Sequence, residues 1–185
     1  VLTDRAQLYR GRVADFEPVK ASVMGDFLPA KLGMEDGERP VLMRLWPETF
    51  GEDEHFIFLF ANGKGVRVPL SAYQTKSVRR KQSGAYSAAS PIVAAYCTTE
   101  PIDLLLVNSA GRAILIKSSL IPQMATRTAG GIQLMTLKSG TTLTEALAVF
   151  EDKYDAKGCR KLKIPAAGVA ITPKNGAGEQ LKLED

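Results

Sequence analysis

Residues 56–68 of the chain read Phe56-Ile57-Phe58-Leu59-Phe60-Ala61-Asn62-Gly63-Lys64-Gly65-Val66-Arg67-Val68. A run of aromatic and branched residues is followed at once by Asn62-Gly63, and a second run alternates apolar and basic residues. Asn-Gly between two strand-like runs is a strong short-range signal for a β-hairpin, because both residues tolerate a positive φ. The stretch therefore predicts two antiparallel strands joined by a tight turn, with Arg67 on the outer face.

The same pattern returns 48 residues later, when Gly63 is aligned with Gly111. A weaker copy opens the chain around Thr3-Asp4-Arg5-Ala6, and an insertion near Thr49–Glu54 is expected between the first two copies. A further apolar run follows each hairpin, at Val41–Trp46, Ile92–Thr98 and Ile132–Leu137. About four short strands in roughly 50 residues are typical of a propeller-type blade, and single sheets of this kind must stack to bury their faces. We therefore predict an all-β fold of about three blade units over residues 1–140.

Residues 141–185 differ from the repeats and are predicted to form a short mixed tail, partly mobile. Thr142-Leu143-Thr144-Glu145 has the form of a capping box, which favours a helix over Ala146–Tyr154. A closing strand at Leu147–Phe150 is the alternative interpretation.

The composition excludes several classes of protein. The chain has 185 residues, of which 45% are hydrophobic and 24% charged, as in ordinary globular proteins. No apolar run reaches the length of a membrane helix, so no membrane association is expected. Cys97 and Cys159 stand far apart and His55 is the single histidine, so we expect neither a disulfide framework nor a metal site built on cysteine or histidine. A reducing, cytoplasmic compartment is the default.

The sequence lacks the motifs of common catalytic sites. It contains no nucleophile elbow, no P-loop and no dinucleotide-binding glycine motif. The acidic clusters Glu35–Glu38 and Glu48–Glu54 do not match the spacing of a calcium loop, and they are interpreted as solvated turns. We therefore expect no catalytic residue, no metal and no cofactor in this chain.

Positive charge is concentrated in the middle of the chain. Residues 61–140 carry ten basic and two acidic residues, a net charge of +8, whereas the whole chain has +4. Charge segregated in this way favours a polyanionic partner, although a solvated basic surface without a partner stays possible on charge alone.

Three segments combine cations with small, hydroxylated or glycine residues, a combination that suits phosphate contacts: Lys76–Gly84, Ala125–Gly131 and, with one lysine, Lys20–Gly25. If the units lie side by side, equivalent segments fall on one rim, which could hold curved DNA mainly through counterion release. The candidate DNA-contacting residues are Arg10, Lys20, Lys64, Arg67, Lys76, Arg79, Arg80, Lys81, Arg112, Lys117 and Arg127.

The repeats resemble the C-terminal domain of bacterial type II topoisomerase A subunits, the family that comprises the A subunits of DNA gyrase and of topoisomerase IV. The resemblance covers residues 1 to about 140, and the short sequence motifs occur in the same order within each repeat. It is carried by Thr3–Arg10, Ala61–Ser71, Asn108–Arg112 and Thr126–Gln133.

The resemblance implies a β-pinwheel, a propeller-like disc whose four-stranded blades exchange strands. It implies that the basic rim binds and bends duplex DNA and presents it to a separate strand-passing core. The catalytic tyrosine, ATP and Mg²⁺ then belong to other domains or to the ATPase B subunit, so this chain would perform no reaction of its own. The expected partners are double-stranded DNA, the B subunit, and the remainder of the A subunit, in the bacterial cytoplasm at the nucleoid.

The sequence departs from the family pattern in two ways. The gyrase-defining box, a Gln-Arg/Lys-Arg-Gly-Gly-Arg/Lys-Gly run, is absent. Only partial matches to it occur, at Gln82–Gly84 and Arg127–Gly131. This favours a topoisomerase IV-like or divergent A subunit. Three units also fall short of the five or six blades usual in the family, so a partial or reduced pinwheel is expected. The alternative function is a propeller-like protein–protein interaction module, in which the cations are ordinary surface charge.

Overall fold

Each of the three sequence repeats folds as a β-hairpin. The computed structural model describes residues 1–46, 54–75 and 80–174. Its strands, in chain order, are β1 (Leu2–Thr3), β2 (Gln7–Tyr9), β3 (Pro40–Leu42), β4 (His55–Phe60), β5 (Lys64–Pro69), β6 (Lys81–Ser83), β7 (Ile92–Thr98), β8 (Asp103–Asn108), β9 (Arg112–Lys117), β10 (Ile132–Gln133), β11 (Met135–Thr136), β12 (Leu143–Leu147), β13 (Ala166–Ala167) and β14 (Val169–Ala170). The described helices are short, namely α1 (Leu28–Leu32) and 3₁₀ helices at Val13–Asp15, Leu70–Tyr73 and Ser118–Leu120. None of these described helices is long and apolar enough to cross a membrane.

The hairpin turns confirm the alignment of the repeats. Gly63 and Gly111 have positive φ angles of 76° and 65°, and Ala6 takes the same conformation at 55° in the first copy. The side chain of Asn62 accepts a hydrogen bond from the backbone N–H of Lys64 at 3.1 Å. The Asn-Gly turn and its two counterparts therefore set the register of the hairpins β1–β2, β4–β5 and β8–β9.

The described strands form three four-stranded antiparallel sheets and one two-stranded parallel pair. The strand orders are β3-β1-β2-β6 in the first sheet, β7-β4-β5-β10 in the second and β12-β8-β9-β14 in the third, and β11 pairs with β13. The predicted all-β architecture is confirmed. The third sheet takes β12 and β14 from residues 141–185, so the sheets extend beyond the predicted boundary at residue 140.

Neighbouring sheets exchange strands. β6 follows the second hairpin along the chain but lies in the first sheet, beside β2. β10 follows the third hairpin but lies in the second sheet, beside β5. Each of these two sheets is thus completed by the unit that follows it, which is the strand exchange that the family resemblance implied.

The core lies between successive sheets. Phe56, Phe58 and Phe60 of β4 pack in the cluster shared with the first sheet, and Ile57 and Leu59 pack in the cluster shared with the third. All five are at most 1% exposed. A strand with both faces buried has no polar face to present, which explains the uninterrupted apolar run in its sequence.

The predicted helix over Ala146–Tyr154 is wrong. Leu143–Leu147 forms β12 and pairs with β8, with Ala146 opposite Leu106. An isolated two-turn helix is marginal in water, whereas the edge of β8 offers unpaired backbone groups beside an apolar surface. The alternative of a closing strand at Leu147–Phe150 agrees with the structure in the type of element, but the strand begins four residues earlier, at Leu143.

The apolar run Ile132–Leu137 is divided between two sheets. Its first part is β10 in the second sheet, and its second part is β11, which pairs with β13. The third unit's counterpart of Ile92–Thr98 is β12. The outer face of the third sheet is covered by residues that follow β12, among them Phe150, Tyr154 and Cys159, all at most 7% exposed.

Candidate nucleic-acid interface

Three segments that lead to the exchanged strands are candidates for the nucleic-acid interface. We call them the first connector (residues 72–80), the second connector (residues 120–131) and the third connector (residues 157–168). The first leads to β6, the second to β10 and the third to β14. The structure describes the second and third connectors completely, and the first except for residues 76–79.

The second and third connectors cross the preceding hairpin by the same backbone hydrogen bonds. On β5, Arg67 N–H donates to the Pro122 carbonyl at 3.2 Å, and Met124 N–H donates to the Arg67 carbonyl at 2.8 Å. On β9, Leu115 exchanges the equivalent bonds with Cys159 and Lys161, both at 2.8 Å. Since Arg67 and Leu115 stand 48 residues apart, the two crossings occur at the same point of their hairpins.

The two connectors also approach their sheets closely at their ends. A Cβ atom on Gly131 would overlap the carbonyl oxygen of Gly65, and one on Gly168 would overlap Met135 Cε and lie 3.1 Å from the backbone nitrogen of Ala113. Gly131 and Gly168 stand 37 residues apart, as do Pro122 and Cys159. Glycine is required at Gly131, where two backbones pass this closely, whereas a side chain at Gly168 would mainly displace the end of Met135.

Arg10 and Arg67, both predicted to contact DNA, point inwards. The Arg10 guanidinium donates to the Tyr73 carbonyl at 2.7 Å, and the Arg67 guanidinium donates to the Ile121 carbonyl at 2.6 Å. Arg10 also lies 4.5 Å from the centroid of the Trp46 ring, and burial lowers its pKa. Arg67 is therefore half-buried rather than directed to solvent, because its side chain reaches the carbonyl at the start of the next connector.

Arg112 and Arg127 are also engaged within the chain. Arg112 donates to the Gly168 carbonyl at 2.7 Å and so holds the end of the third connector. Arg127 donates to Gln82 Oε1 at 2.7 Å, and its guanidinium carbon lies 5.6 Å from the Tyr73 ring centroid. The structure thus joins the second connector to β6 through Arg127.

Lys81 and Lys117 are exposed but have acidic partners. The Lys81 ammonium lies 2.5 Å from Glu35, which raises the lysine pKa. The Lys117 ammonium lies 3.4 Å from Asp103. Either cation could face a phosphate, but its charge is already partly compensated.

Three other candidate cations have no ion pair with any described residue. Lys20 and Arg80 are exposed, and Lys64 is half-buried at the start of β5. Lys76 and Arg79 lie outside the described residues. The structure thus places Arg80 at the end of the first connector, where it remains available to a partner, while Lys20 lies in an exposed segment after the first hairpin.

Sequence reasoning missed the cations of the third connector, Lys157, Arg160, Lys161 and Lys163. Arg160 forms two hydrogen bonds with Asp103, at 2.7 and 2.6 Å, and these lower the Asp103 pKa to about 2. The other three have no ion pair with a described residue. The density of basic residues in 153–163 could have pointed to this segment, but it lies outside the recognisable repeats.

Tyr73 and Tyr86 belong to the core between the first two sheets. Tyr73 is fully buried and donates to the Ala85 carbonyl at 2.6 Å, while Tyr86 is 2% exposed and donates to the Thr3 carbonyl. Burial raises the pKa of both phenols, to about 12 for Tyr86. Within the described part of the chain, no three His, Cys, Asp or Glu side chains are arranged to hold a metal ion.

Comparison with known proteins identifies relatives in sequence and in structure. No model of a protein family matches the chain. The chain is 32% identical over 126 residues to the A subunit of DNA gyrase from Neisseria gonorrhoeae, a match that covers 66% of this chain and 14% of that gyrase chain. The sequence resemblance to type II topoisomerase A subunits is therefore confirmed.

Two solved structures share the fold. The C-terminal domain of DNA topoisomerase IV superposes with a TM-score of 0.67 at 18% identity, covering 83% of this chain and 47% of that domain. The C-terminal domain of DNA gyrase A superposes with a TM-score of 0.54 at 15% identity, covering 83% and 48%. The predicted β-pinwheel is confirmed, and the chain spans about half the length of each solved domain.

Proposed function

We propose that this chain is the DNA-binding C-terminal domain of a type II topoisomerase A subunit, the kind of domain that it resembles in sequence and fold. It binds duplex DNA without sequence preference and bends it, so that a DNA segment is presented to the strand-passing core. The domain performs no reaction of its own. ATP and Mg²⁺ act elsewhere in the parent enzyme.

One observation supports this proposal above the others, namely that the second and third connectors cross successive sheets at the same point. Each of the three connectors carries at least one cation, and a surface of this kind can follow the backbone of a bent duplex. Contacts to phosphates position DNA without reading its sequence. The net charge of +8 over residues 61–140 gives such a surface the required sign.

The proposal extends to the setting of the domain. Its partners are the ATPase B subunit, together with the remainder of the A subunit, in the bacterial cytoplasm at the nucleoid. The missing gyrase box favours the role of topoisomerase IV, because in this family that box supports the wrapping that introduces negative supercoils. A plasmid relaxed by a nicking-closing enzyme in the presence of the chain would report any wrapping as a change in linking number.

Binding to DNA can be tested directly by titrating the chain into a labelled duplex of about 40 base pairs. Fluorescence anisotropy at several salt concentrations gives the slope of log K against log salt, which changes by about 0.9 for each phosphate contact. We expect tight binding at low salt, a slope that corresponds to several contacts, and little difference between unrelated sequences. Absence of binding at low salt would contradict the proposal.

A protein–protein interaction module is the second candidate function. It is favoured by exposed apolar side chains in the segment after the first hairpin, where Met24 is 94% and Phe27 72% exposed. Exposed apolar residues grouped in this way are typical of protein contact surfaces. The same titration separates the two functions, because a module of this kind would show no steep salt dependence with duplex DNA.

A further inference from the structure

The third connector belongs to no recognisable repeat, yet it follows the path of a blade connector. No fourth hairpin precedes it within the described residues, since residues 148–156 run from β12 directly to it. Nevertheless, Cys159 and Lys161 bond to β9 as Pro122 and Met124 bond to β5. The tail therefore occupies the position that the next blade's connector would take.

The correspondence extends along the whole segment at a constant offset of 37 residues. β10 places Ile132 opposite Gly65 and Gln133 opposite Lys64, whereas β14 places Val169 opposite Ala113 and Ala170 opposite Arg112. The side-chain contact between His55 and Gln123, at 2.9 Å, is replaced by the pair Asp103–Arg160. The third connector is thus fixed on its sheet at three separate places.

The third connector carries more unpaired positive charge than the second. Arg127 of the second connector is turned inwards to Gln82. In the third connector, Lys157 and Lys163 are exposed and Lys161 is half-buried, and none has an ion pair with a described residue. Leu162 between the last two is 81% exposed, so this stretch faces solvent.

The acidic groups near this stretch leave its charge in excess. Asp103 is already bound to Arg160, and Asp155 accepts a hydrogen bond from the backbone N–H of Lys157 at 3.0 Å. Residues 155–163 therefore hold four cations against one carboxylate of their own. Three ammonium groups on a backbone fixed in this way suit a partner with regularly spaced anions.

We propose that the third connector is a phosphate-contact site for duplex DNA, in which Lys157, Lys161 and Lys163 bind the sugar–phosphate backbone one blade beyond the second connector. This inference rests on the proposed function and deepens it, because it places part of the DNA path on the tail. The tail therefore both completes the third sheet and continues the binding surface.

The test compares two triple variants of the chain that lose the same charge. The first is Lys157→Gln, Lys161→Gln, Lys163→Gln. The control is Lys31→Gln, Arg39→Gln, Lys138→Gln, three exposed cations outside the connectors, of which Lys31 and Arg39 pair with Asp26 and Asp4. Anisotropy titrations with the duplex of about 40 base pairs, at several salt concentrations, give the salt slope of each variant.

We expect the connector variant to bind more weakly and to lose a salt slope of about 2 to 3, since each contact contributes about 0.9. The control variant should lose a salt slope of less than about 0.9, the value for one phosphate contact. If wild type binds with a steep slope and the two variants behave alike, the inference is overturned while the proposed function stands. If wild type does not bind, the proposed function fails and the inference fails with it.

Lysine acetylation of the wild-type chain gives a second measurement that needs no variant. Acetic anhydride is applied with and without the duplex, and modification is read by mass spectrometry. Protection of Lys157, Lys161 and Lys163 by DNA, with Lys31 and Lys138 unprotected, supports the inference. Equal modification of all five with and without bound DNA overturns it.

Discussion

Asp103 accepts two hydrogen bonds from the guanidinium of Arg160, at 2.7 and 2.6 Å, across the boundary between β8 and the tail. The same position in the second sheet is taken by His55 and Gln123, whose ring nitrogen and amide oxygen lie 2.9 Å apart. One contact site of the fold is thus filled by a histidine–glutamine pair in one blade and by an ion pair in the next. We expect this ion pair to make the stability of the contact between β8 and the tail dependent on pH.

The first prediction is that Arg160→Gln raises the Asp103 pKa from about 2 towards the ordinary value near 4. The hydrogen bonds from Arg160 are the largest cause of the lowered pKa. NMR titration of the carboxyl carbon measures the change. Lys117→Gln is the control, because its ammonium is farther away at 3.4 Å and should leave most of the shift in place.

The sign of the accompanying change in stability follows from linkage. Because the folded-state pKa of Asp103 lies below the unfolded value, the pair contributes fully above about pH 4, and the contribution is lost as the pH falls towards 2. Urea unfolding should therefore show that wild type loses more stability than Arg160→Gln between pH 5 and pH 2. An unchanged Asp103 pKa in the variant would contradict the assignment.

The second prediction distinguishes two hairpin turns with the same backbone conformation. Gly111→Ala places a Cβ in open space. It should lower the free energy of unfolding by only about 1 to 2 kcal/mol, the cost of holding a non-glycine residue in the left-handed conformation. Gly63→Ala should cost clearly more, because its Cβ would lie 2.9 Å from the Met135 carbonyl oxygen. Urea unfolding of both variants gives the difference. Equal costs would mean that the segment around Met135 gives way easily.

The third prediction separates cations that hold the fold from cations that are free to bind DNA. Lys64→Ala with Arg80→Ala should reduce the salt slope of duplex binding by about 1.8, the value for two phosphate contacts, and leave the unfolding free energy nearly unchanged. Arg67→Ala should instead lower the unfolding free energy by about 1.5 to 3 kcal/mol, because it removes a charged hydrogen bond to the Ile121 carbonyl. A large loss of salt slope in Arg67→Ala alone would show that its inward contact is not its main role.

The fourth prediction concerns alkaline pH. Burial raises the pKa of Tyr73 and Tyr86, so the folded chain keeps both phenols protonated above pH 10, where the unfolded chain releases its protons. The unfolding free energy should therefore fall as the pH rises from 10 to 12. Tyr86→Phe should flatten this fall, although it loses the hydrogen bond to Thr3 at neutral pH. Phenolate absorbance at 295 nm follows the titration, and normal titration of every tyrosine near pH 10 would refute the prediction.

Local features of the sequence predicted the hairpins and their spacing. Asn62-Gly63 and Gly111 define turns through their backbone conformation, and the unbroken apolar run of β4 follows from burial on both faces. These features act over a few residues, so they can be read without knowing the rest of the chain. The family resemblance added the strand exchange, which no local pattern contains.

Several parts of the candidate interface could not be predicted in this way. The sequence shows that Arg67, Arg112 and Arg127 are basic, but the direction of a long side chain depends on which carbonyl or amide lies within reach. In each case the acceptor is on a segment distant in sequence, at Ile121, Gly168 and Gln82 respectively. The path of the third connector could not be predicted from sequence, because it matches the second connector in backbone hydrogen bonds. Such bonds can form with almost any side chain.

The sequence by itself determined where the chain turns, which strands are buried on both faces and that the units repeat, because these depend on local conformational preference and on alternation of apolar residues. Only the tertiary structure decided that residues 143–147 form a strand, which sheet each short strand completes, and which cations remain free. Strands of two or three residues such as β10 and β14 have little preference of their own. Their place is decided by the unpaired edges of β5 and β9, which exist only after the hairpins have packed against each other.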